Sequence, residues 1–488
     1  MTARDNIPVL NLATLTAAID KQWDEAIVPA ITEYIRLPAK SPGFDSNWEA
    51  HGYLDVACEA AKAYVLAQPI SGVKAEIVRL PGRTPVLFFE VPASGVATAG
   101  YENNQTIMFY GHLDKQPEMT GWREGMGPWI PVYEDGKLYG RGGADDGYAV
   151  YAAMAAISAL DAQGAARPRC VGVIETCEES GSYDLPPYLD LLHTRLGDVA
   201  LVIALDSGCG NYDQLWVTTS LRGMVGGVLR VDVLNEGVHS GDAGGVVPSS
   251  FRVARQLLDR IDDSKSGHVI PTIMHSPIPA ERVTQAQQAA TILGDSIWKR
   301  FPWATCCAGP ITFVQPTTKD PVELILNRTW RASLSVVGAA GLPLPENAGN
   351  VLRPYTELKL SLRLPPTVDA EAAATALKNT LENEPPHQAA VTFHLEGSAT
   401  GWNAPPTAPW LLAKLDNASQ QCYGKPAAFM GEGGTIPFMG MLGAKFPEAQ
   451  MLVTGVLGPK SNAHGPNEFL HVPFAKKLTA AVALVLAG

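Results

Sequence analysis

The sequence predicts an α/β protein with a parallel or mixed sheet, interrupted by an inserted α+β sandwich. Up to about residue 220, short apolar runs typical of buried strands alternate with helical patterns. Near Leu221 the pattern changes to strand, helix, strand, helix, strand, and the first pattern returns near Gly401. A length of 488 residues also exceeds one ordinary hydrophobic core. We therefore expect one domain built from residues 1–219 and 400–488, with a second domain at 220–399.

The predicted elements follow from hydrophobic periodicity and length. The first domain is expected to open with an amphipathic helix near Asp20–Leu37 and to contain a helix of small residues at Tyr148–Leu160. Its strands are expected at four apolar runs, Val86–Val91, Thr106–Tyr110, Cys170–Ile174 and Val199–Leu205. The inserted domain is expected to contain a long strand after Leu221, helices at Ser249–Arg260 and Ala370–Leu381, and strands at Thr356–Leu364 and Val391–Leu395. A proline-rich stretch covers His268–Pro321.

Composition and charge favour a globular enzyme with no nucleic-acid or membrane partner. Apolar residues make up 46% and charged residues 18%, and the net charge of −12 comes without any Lys/Arg cluster. No apolar run is long enough to span a bilayer, and the first residues lack the apolar core of a secretory signal. The seven cysteines include no CxxC pair, which predicts reduced, mostly buried thiols and a cytoplasmic protein. Burial is also the favoured interpretation of adjacent Cys306 and Cys307, with a redox role as the alternative.

Candidate metal ligands follow the predicted strands. His112 and Asp114 come directly after the strand that ends at Tyr110, and Asp145 and Asp146 follow a glycine-rich turn in the segment YGRGGADDGY. In an open α/β sheet, ligands bind at strand ends. Each motif also has an ordinary interpretation, because a lone HxD fits a surface loop and one aspartate suffices to cap a helix.

Further carboxylates and a second histidine come later in the chain. Glu178 and Glu179 follow the strand Cys170–Ile174 in the segment ETCEES, and Asp206 ends the apolar run VALVIALD. His464 lies in the loop segment NAHGPNE. A solvated loop or a strand-end turn would explain each segment alone. Together they supply imidazole and oxygen ligands without thiolate, which suits a catalytic Zn²⁺, Mn²⁺ or Co²⁺ site, and several carboxylates suit two bridged ions.

The ordered motifs HxD, GRGxxDD, EES, a strand-terminal aspartate and NAHGPNE resemble one family. This is the di-zinc metallopeptidase family of carnosinase-type dipeptidases, aminoacylase, succinyl-diaminopimelate desuccinylase and glutamate carboxypeptidase. The resemblance covers essentially the whole chain. It implies a mixed-sheet zinc-peptidase catalytic domain, with the inserted domain serving as a lid and dimerisation domain in a homodimer.

The resemblance also implies the ligands of two divalent ions, zinc in the first place with manganese and cobalt as alternatives. His112, Asp145 and Asp206 would hold one ion. Asp145, Glu179 and His464 would hold the other, so that Asp145 bridges the two.

Three more residues receive catalytic roles from the resemblance. Asp114 would orient the site as a carboxylate behind the ligands. Glu178 would be the general base that takes a proton from a metal-bridging water and later gives it to the leaving amine. His239, in the segment EGVHSGDAGG, would stabilise the tetrahedral oxyanion, often across the dimer.

Substrate-binding residues are expected in the inserted domain and in a late glycine-rich loop. Asn350 and Arg363 are candidates for binding a substrate carboxylate, with a strand-surface arginine as the alternative for Arg363. Gly433, Gly434 and Thr435, in the segment GEGGTIPF, would present hydrogen-bond donors to the substrate's terminal group.

The predicted function is hydrolysis of an amide bond in dipeptides or small peptides by a dinuclear metal-dependent enzyme. An N-acyl-amino-acid amidohydrolase or a carboxypeptidase acting on another small amide is the alternative with the same chemistry. A non-catalytic relative that kept only the fold is the alternative from another class. One departure from the family pattern is Gly147-Tyr148, where many members have Lys-Gly after the aspartate pair.

Overall fold

The computed structural model of the chain describes residues 10–95, 105–306 and 312–487, and Cys307 lies outside these residues. The chain divides into two compact units. The first unit comprises Met1–Thr218, Ala404–Met430 and Met441–Gly488, and the second comprises Thr219–Asn403 and Gly431–Gly440. The short segment Gly431–Gly440, which follows the predicted insert by some thirty residues, therefore belongs to the second unit.

The helices and strands of the described residues are numbered in chain order. The α-helices are α1 Leu12–Gln22, α2 Val28–Arg36, α3 Trp48–His51, α4 Tyr53–Ala67, α5 Ala149–Asp161, α6 Leu185–Leu191, α7 His193–Leu196, α8 Ser240–Ala243, α9 Ser250–Leu258, α10 Ala280–Leu293, α11 Ser296–Lys299, α12 Pro321–Thr329, α13 Ala370–Glu382, α14 Pro409–Tyr423, α15 Pro437–Lys445 and α16 Val472–Leu486. The strands are β1 Lys74–Val78, β2 Val86–Val91, β3 Thr106–His112, β4 Val132–Glu134, β5 Lys137–Tyr139, β6 Arg169–Glu175, β7 Val199–Ala204, β8 Trp216–Leu221, β9 Gly223–Asp232, β10 Val238–His239, β11 Thr305–Cys306, β12 Thr312–Phe313, β13 Ser333–Ala340, β14 Val351–Leu352, β15 Tyr355–Leu364, β16 Ala390–Ala399, β17 Trp402–Asn403, β18 Ala428–Glu432, β19 Gln450–Val453 and β20 Phe469–His471.

The main sheet of the first unit is mixed, as predicted. Its strand order is β1-β2-β6-β3-β7-β19. Strands β6, β3, β7 and β19 run parallel, whereas β1 and β2 pair antiparallel at one edge. All seven residues of β3 are buried, as expected for a central strand covered by helices on both faces. The carboxyl ends of β3, β6 and β7 lie side by side, because His112 pairs with Glu175 and Tyr110 with Ala204.

The second unit contains an α+β layer, which confirms the predicted class of the inserted domain. Its antiparallel sheet has the order β13-β15-β9-β16. Helices α9 and α13 pack on this sheet around a core of aliphatic side chains that includes Leu229, Leu257 and Leu377. Residues of β9 alternate between buried and half-buried, which is the period of a strand with one face on a core.

One local prediction differs from the structure. The opening helix begins at Leu12, earlier than predicted, because the Asn11 side chain accepts a hydrogen bond from the N–H of Thr14 at 3.0 Å and caps it. The proline-rich stretch His268–Pro321 contains α10 and α11. Pro279 lies just before α10, and Pro321 is at the first position of α12, where the missing N–H of proline is tolerated.

Across the described ranges, no helix combines the length and the apolar character that crossing a membrane would require.

Candidate metal centre and active site

The predicted ligands of the first unit converge at the carboxyl ends of three parallel strands. His112 is the last residue of β3, and Asp206 follows β7 by two residues. Glu179 lies in a single 3₁₀ turn, Glu178–Ser180, three residues after β6. Asp145 lies in the glycine-rich turn Gly143–Gly147 that leads into α5. Parallel strands end at the same edge of a sheet, which explains why side chains far apart in sequence meet here.

Asp145 lies between the two imidazoles. Its Oδ1 is 3.5 Å from Nε2 of His112, and its Oδ2 is 3.0 Å from Nε2 of His464. Nε2 of His464 is also 3.4 Å from Oε2 of Glu179. A carboxylate that directs one oxygen to each of two histidines has the geometry of a bridging ligand.

The remaining carboxylates surround His112. Its Nε2 lies 3.8 Å from Oδ2 of Asp206 and 3.9 Å from Oε2 of Glu178. Ligand atoms of His112, Asp145 and Glu179 lie within 4.8 Å of one another, and so do those of His112, Glu178 and Asp206. The structure therefore gathers the predicted metal ligands and the predicted base in one cluster.

The chemistry of this cluster fits divalent cations. Nε2 of His112 and Oε1 of Glu179 are buried and have no hydrogen-bond partner among the described residues. Burial raises the pKa of Glu179 to about 8, with Asp145 contributing, and raises the pKa of Asp206 to about 7 against the opposing effect of His112. Buried carboxylates that repel one another in this way are stabilised in their ionised form by a cation between them.

The two histidines respond to the same negative charge. Burial lowers the pKa of His112, but the neighbouring carboxylates of Asp114, Asp145 and Asp206 outweigh that effect and hold the pKa well above its usual range. For His464, burial again lowers the pKa, and Asp145 more than compensates, giving a pKa of about 9. Burial would raise the pKa of Asp145, yet its contacts with the two imidazoles hold it well below the usual range. Asp145 is therefore the carboxylate of the cluster that stays ionised most readily.

Asp114 fixes the turn that carries Glu178 and Glu179. Its fully buried carboxylate accepts hydrogen bonds from the N–H of Glu178 at 3.1 Å and of Glu179 at 2.9 Å. The backbone carbonyl of Asp114 lies 3.0 Å from Nδ1 of His112. It therefore favours the imidazole tautomer with its proton on Nδ1, in which Nε2 carries no proton and faces the carboxylates. Burial raises the pKa of Glu178 well above its usual range, and the charge of Asp206 raises it further.

Several residues to which the sequence analysis assigned no role in the site support the cluster. Gln116 donates from Nε2 to Oε2 of Glu179 at 2.6 Å, and the buried carboxylate of Asp146 accepts the N–H of His112 at 3.3 Å. Arg141 and Glu468 form a buried ion pair beside the His464 loop. Arg141 and Glu468 lie inside the GRGG and NAHGPNE segments, so position within a motif was the only signal for their roles.

Two glycines allow the Asp145 turn to form. Gly142 has a φ of +84°, which L-amino acids with a side chain rarely adopt. A Cβ on Gly147 would lie 2.2 Å from the Tyr34 ring and 2.6 Å from the carbonyl oxygen of Gly142. The glycine at position 147, where the chain departs from the family pattern, is therefore required by close packing.

The predicted substrate-binding residues lie in the second unit, and three of them meet there. Nη1 of Arg363 donates to Oγ1 of Thr435 at 3.0 Å, and Oγ1 of Thr435 donates to the carbonyl of Arg222 at 2.6 Å. Nε of Arg222 donates to the carbonyl of Gly433 at 3.1 Å. A Cβ on Gly434 would meet no atom within 4 Å, so this glycine lies open.

His239 and Asn350 form a second pair of neighbours in this unit. His239, on β10, is in register with Val351 of β14, and the N–H of Ser240 donates to the carbonyl of Asn350 at 2.9 Å. The His239 side chain is exposed. The roles of both residues stay predictions.

The mixed sheet with its cluster of histidines and carboxylates at the strand ends is the arrangement expected of a metal-dependent hydrolase. The chain belongs to Peptidase family M20/M25/M40, whose profile matches residues 108–487. It is 25% identical over 383 residues to a cysteinylglycine-S-conjugate dipeptidase of Corynebacterium striatum, covering 76% of this chain and 79% of that protein. It is 26% identical over 354 residues to a human Beta-Ala-His dipeptidase, covering 69% of this chain and 65% of that protein.

Among solved structures, the fold is similar to that of the dipeptidase Dug1p from Saccharomyces cerevisiae. The TM-score is 0.75 at 20% identity, and the match covers 98% of each chain. This similarity supports the fold, while the family profile supports membership in a family of peptidases.

Proposed function

We propose that the protein is a metal-dependent dipeptidase that hydrolyses the amide bond of dipeptides or small peptides. The observation that carries this proposal is the position of Asp145 between His112 and His464, at 3.5 Å and 3.0 Å. Relatives that align with most of the chain are named dipeptidases, which favours this function over an N-acyl-amino-acid amidohydrolase or a carboxypeptidase. Because all predicted ligands and the base are present, a non-catalytic relative is disfavoured.

We assign the ion ligands as the sequence analysis expected. His112, Asp145 and Asp206 would hold one divalent ion, and Asp145, Glu179 and His464 the other, with zinc as the first choice and manganese or cobalt as alternatives. When bound, such ions act as Lewis acids that polarise the amide carbonyl and lower the pKa of water.

Glu178 would move the proton. Burial and the charge of Asp206 raise the pKa of Glu178 well above its usual range, so its carboxylate is a stronger base than that of an exposed glutamate. Glu178 takes a proton from the attacking water, whose oxygen bonds to the amide carbon, and delivers that proton to the leaving nitrogen as the C–N bond breaks. The hydrogen bonds from the N–H groups of Glu178 and Glu179 to Asp114 keep this carboxylate in place.

We assign recognition of the substrate's terminal group to Arg363, Asn350 and the loop of Gly433, Gly434 and Thr435. Burial lowers the pKa of Arg363, and no carboxylate of the described residues lies within 4.0 Å of its guanidinium. A half-buried arginine without an ion pair is suited to bind an anionic group of a ligand. His239 would stabilise the oxyanion of the transition state, as the resemblance implies.

We further propose a homodimer in the cytoplasm. The second unit has two sheet edges, β13 and β16, and the exposed Val336 and Val337 lie on β13. Unpaired apolar edge strands are suited to association between chains. Five cysteines are free thiols, and all but the last of them are buried, which suits a reducing compartment: Cys58, Cys170, Cys177, Cys209 and Cys422. Analytical ultracentrifugation of the full chain tests the dimer.

The function is tested by assaying purified protein against a panel of dipeptides and N-acyl amino acids, with added Zn²⁺, Mn²⁺ or Co²⁺. Glu178→Gln removes the base while keeping its shape, and Glu124→Gln, at an exposed position, is the matched control. We expect metal-dependent cleavage of dipeptides that Glu178→Gln lowers about 10²- to 10⁴-fold and Glu124→Gln leaves unchanged. Cleavage restricted to N-acyl amino acids would favour the alternative, and no cleavage with two ions bound would contradict the substrate class.

A further inference from the structure

A buried ion pair lies beside the metal centre without contributing to its predicted ligands. Arg141 lies two residues before the glycine-rich turn Gly143–Gly147, and Glu468 ends the loop that carries His464. The side chains of Arg141 and Glu468 are 1% and 0% exposed, and Nη1 of Arg141 donates to Oε2 of Glu468. The two residues are 327 positions apart in the chain.

The pair connects the two segments that supply Asp145 and His464. On one side, Oε1 of Glu468 accepts the N–H of Gly142 at 2.9 Å, and the carbonyl of Glu468 accepts the N–H of Gly140 at 3.0 Å. On the other side, Nη2 of Arg141 donates to the carbonyl oxygens of His464 and Gly465, both at 3.0 Å. The planar guanidinium therefore spans both segments with donors in fixed directions.

The His464 side chain reaches the cluster from an exposed loop. Its imidazole is 55% exposed, and its Nε2 contacts the carboxylates of Asp145 and Glu179. The backbone of His464 has a φ of +64°, and Asn462 and Asn467 have φ values of +55° and +60°. Such left-handed conformations of residues other than glycine persist where surrounding contacts impose them. The two carbonyl bonds from Arg141 are contacts of this kind.

Stability alone does not account for a buried ion pair at this place. The desolvation of two charges costs several kcal/mol, and an apolar pair of similar volume is often as stable or more so. The geometry of Arg141, by contrast, is specific, since one guanidinium serves Glu468 and two consecutive carbonyls at once.

We propose that Arg141 and Glu468 are positioning residues for the ion held by Asp145, Glu179 and His464. They hold the His464 loop against the Asp145 turn, so that the ligands of both segments would face the same ion. The bonds of the pair to these segments reach the backbone of Gly140, Gly142, His464 and Gly465, so an ion held by His112 and Asp206 would depend less on the pair. This inference rests on the proposed function, because the two ion sites are part of it.

The experiment measures the affinity of the full-length protein for each of two Zn²⁺ ions by competition with a chromophoric chelator. Arg141→Lys keeps the charge beside Glu468, but an ammonium cannot reproduce the planar bonds to both carbonyls. Arg123→Lys is the matched control, because Arg123 forms an exposed ion pair with Glu134. We expect Arg141→Lys to weaken one ion about 10- to 100-fold, to leave the other within about 3-fold, and to keep the metal-free melting temperature within about 3 °C.

Glu468→Gln is the second variant, and it retains an acceptor for the N–H of Gly142 while removing the charge. We expect a selective weakening of the same ion. Wild-type affinity for both ions in the two variants would overturn the positioning role. Equal weakening of both ions together with a large fall in melting temperature would assign the pair to general stability instead. Absence of any bound ion in the wild-type protein would overturn the proposed function itself, which distinguishes the two failures.

Discussion

Replacing Asp114 by asparagine tests how strongly the hydrogen bonds to the Glu178 turn support catalysis. The Asp114 carboxylate is fully buried and accepts two backbone N–H groups, from Glu178 at 3.1 Å and from Glu179 at 2.9 Å. Asparagine has nearly the same shape, but only its oxygen can accept. If the oxygen keeps the bond to Glu179, the amide NH₂ faces the N–H of Glu178, and two donors oppose each other.

The expected magnitude follows from this count. One hydrogen bond to a charged group is lost, and such a bond is worth about 1.5–3 kcal/mol. Because each 1.36 kcal/mol of activation free energy changes the rate tenfold, kcat is expected to fall about 10- to 150-fold. The ligand atoms themselves are unchanged, so most of the affinity for the ions should remain.

The assay compares kcat and KM of Asp114→Asn and wild type on the preferred dipeptide, with the ions per chain measured in parallel. Asp135→Asn is the matched control, because Asp135 is an exposed residue of the turn between β4 and β5. A kcat within about 2-fold of wild type, with both ions bound, would refute the reasoning that this carboxylate holds the base in place. A loss of both ions would show that Asp114 acts on the ligands rather than on Glu178.

Three further predictions concern packing, pH and substrate binding. Gly147→Ala should lower the free energy of unfolding by about 1–3 kcal/mol, because its Cβ would overlap the Tyr34 ring of α2. Gly440→Ala is the control, because a Cβ there meets no atom within 4 Å. Equal melting temperatures of the two variants would contradict the prediction. In the folded state the pKa values of Glu179 and Asp206 are raised to about 8 and about 7, so the folded protein holds protons that the unfolded chain has already released. The metal-free protein should therefore lose stability as pH rises from about 5 to 8 and these two groups ionise. Thermal melts in chelator should show this slope and melts in Zn²⁺ should reduce it, and a stability that rises with pH in chelator would contradict the prediction. Arg363→Gln should raise KM for dipeptides about 10- to 100-fold with a smaller change in kcat, because the substitution removes a charged hydrogen-bond donor. An unchanged KM in steady-state kinetics would rule out a contact between Arg363 and the substrate.

Local pattern was sufficient to predict most of the secondary structure near the site. The run from Ile107 to Tyr110 is apolar without interruption, which indicates a buried strand, and β3 indeed runs from Thr106 to His112. The same reasoning predicted β6, β7 and α5 to within one or two residues. The opening helix was missed at its start because the cap at Asn11 is a single side-chain contact within a polar sequence.

Contacts between distant residues could not be predicted in the same way. The ion pair of Arg141 and Glu468 joins positions 327 apart, and local pattern usually places charged residues such as these on the surface. The segment Gly431–Gly440 joins the second unit through such contacts, among them the bonds between Arg222, Gly433 and Thr435.

The sequence by itself determined the alternation of strands and helices and the order in which imidazole and carboxylate residues follow the strands. These features depend on periodicity and on neighbours along the chain, which are local properties. The tertiary structure alone decided that Asp145 lies between His112 and His464 and that Asp114 binds the N–H groups of the Glu178 turn. Those distances depend on how parallel strands align their ends in one sheet, and that alignment is a property of the whole packed core.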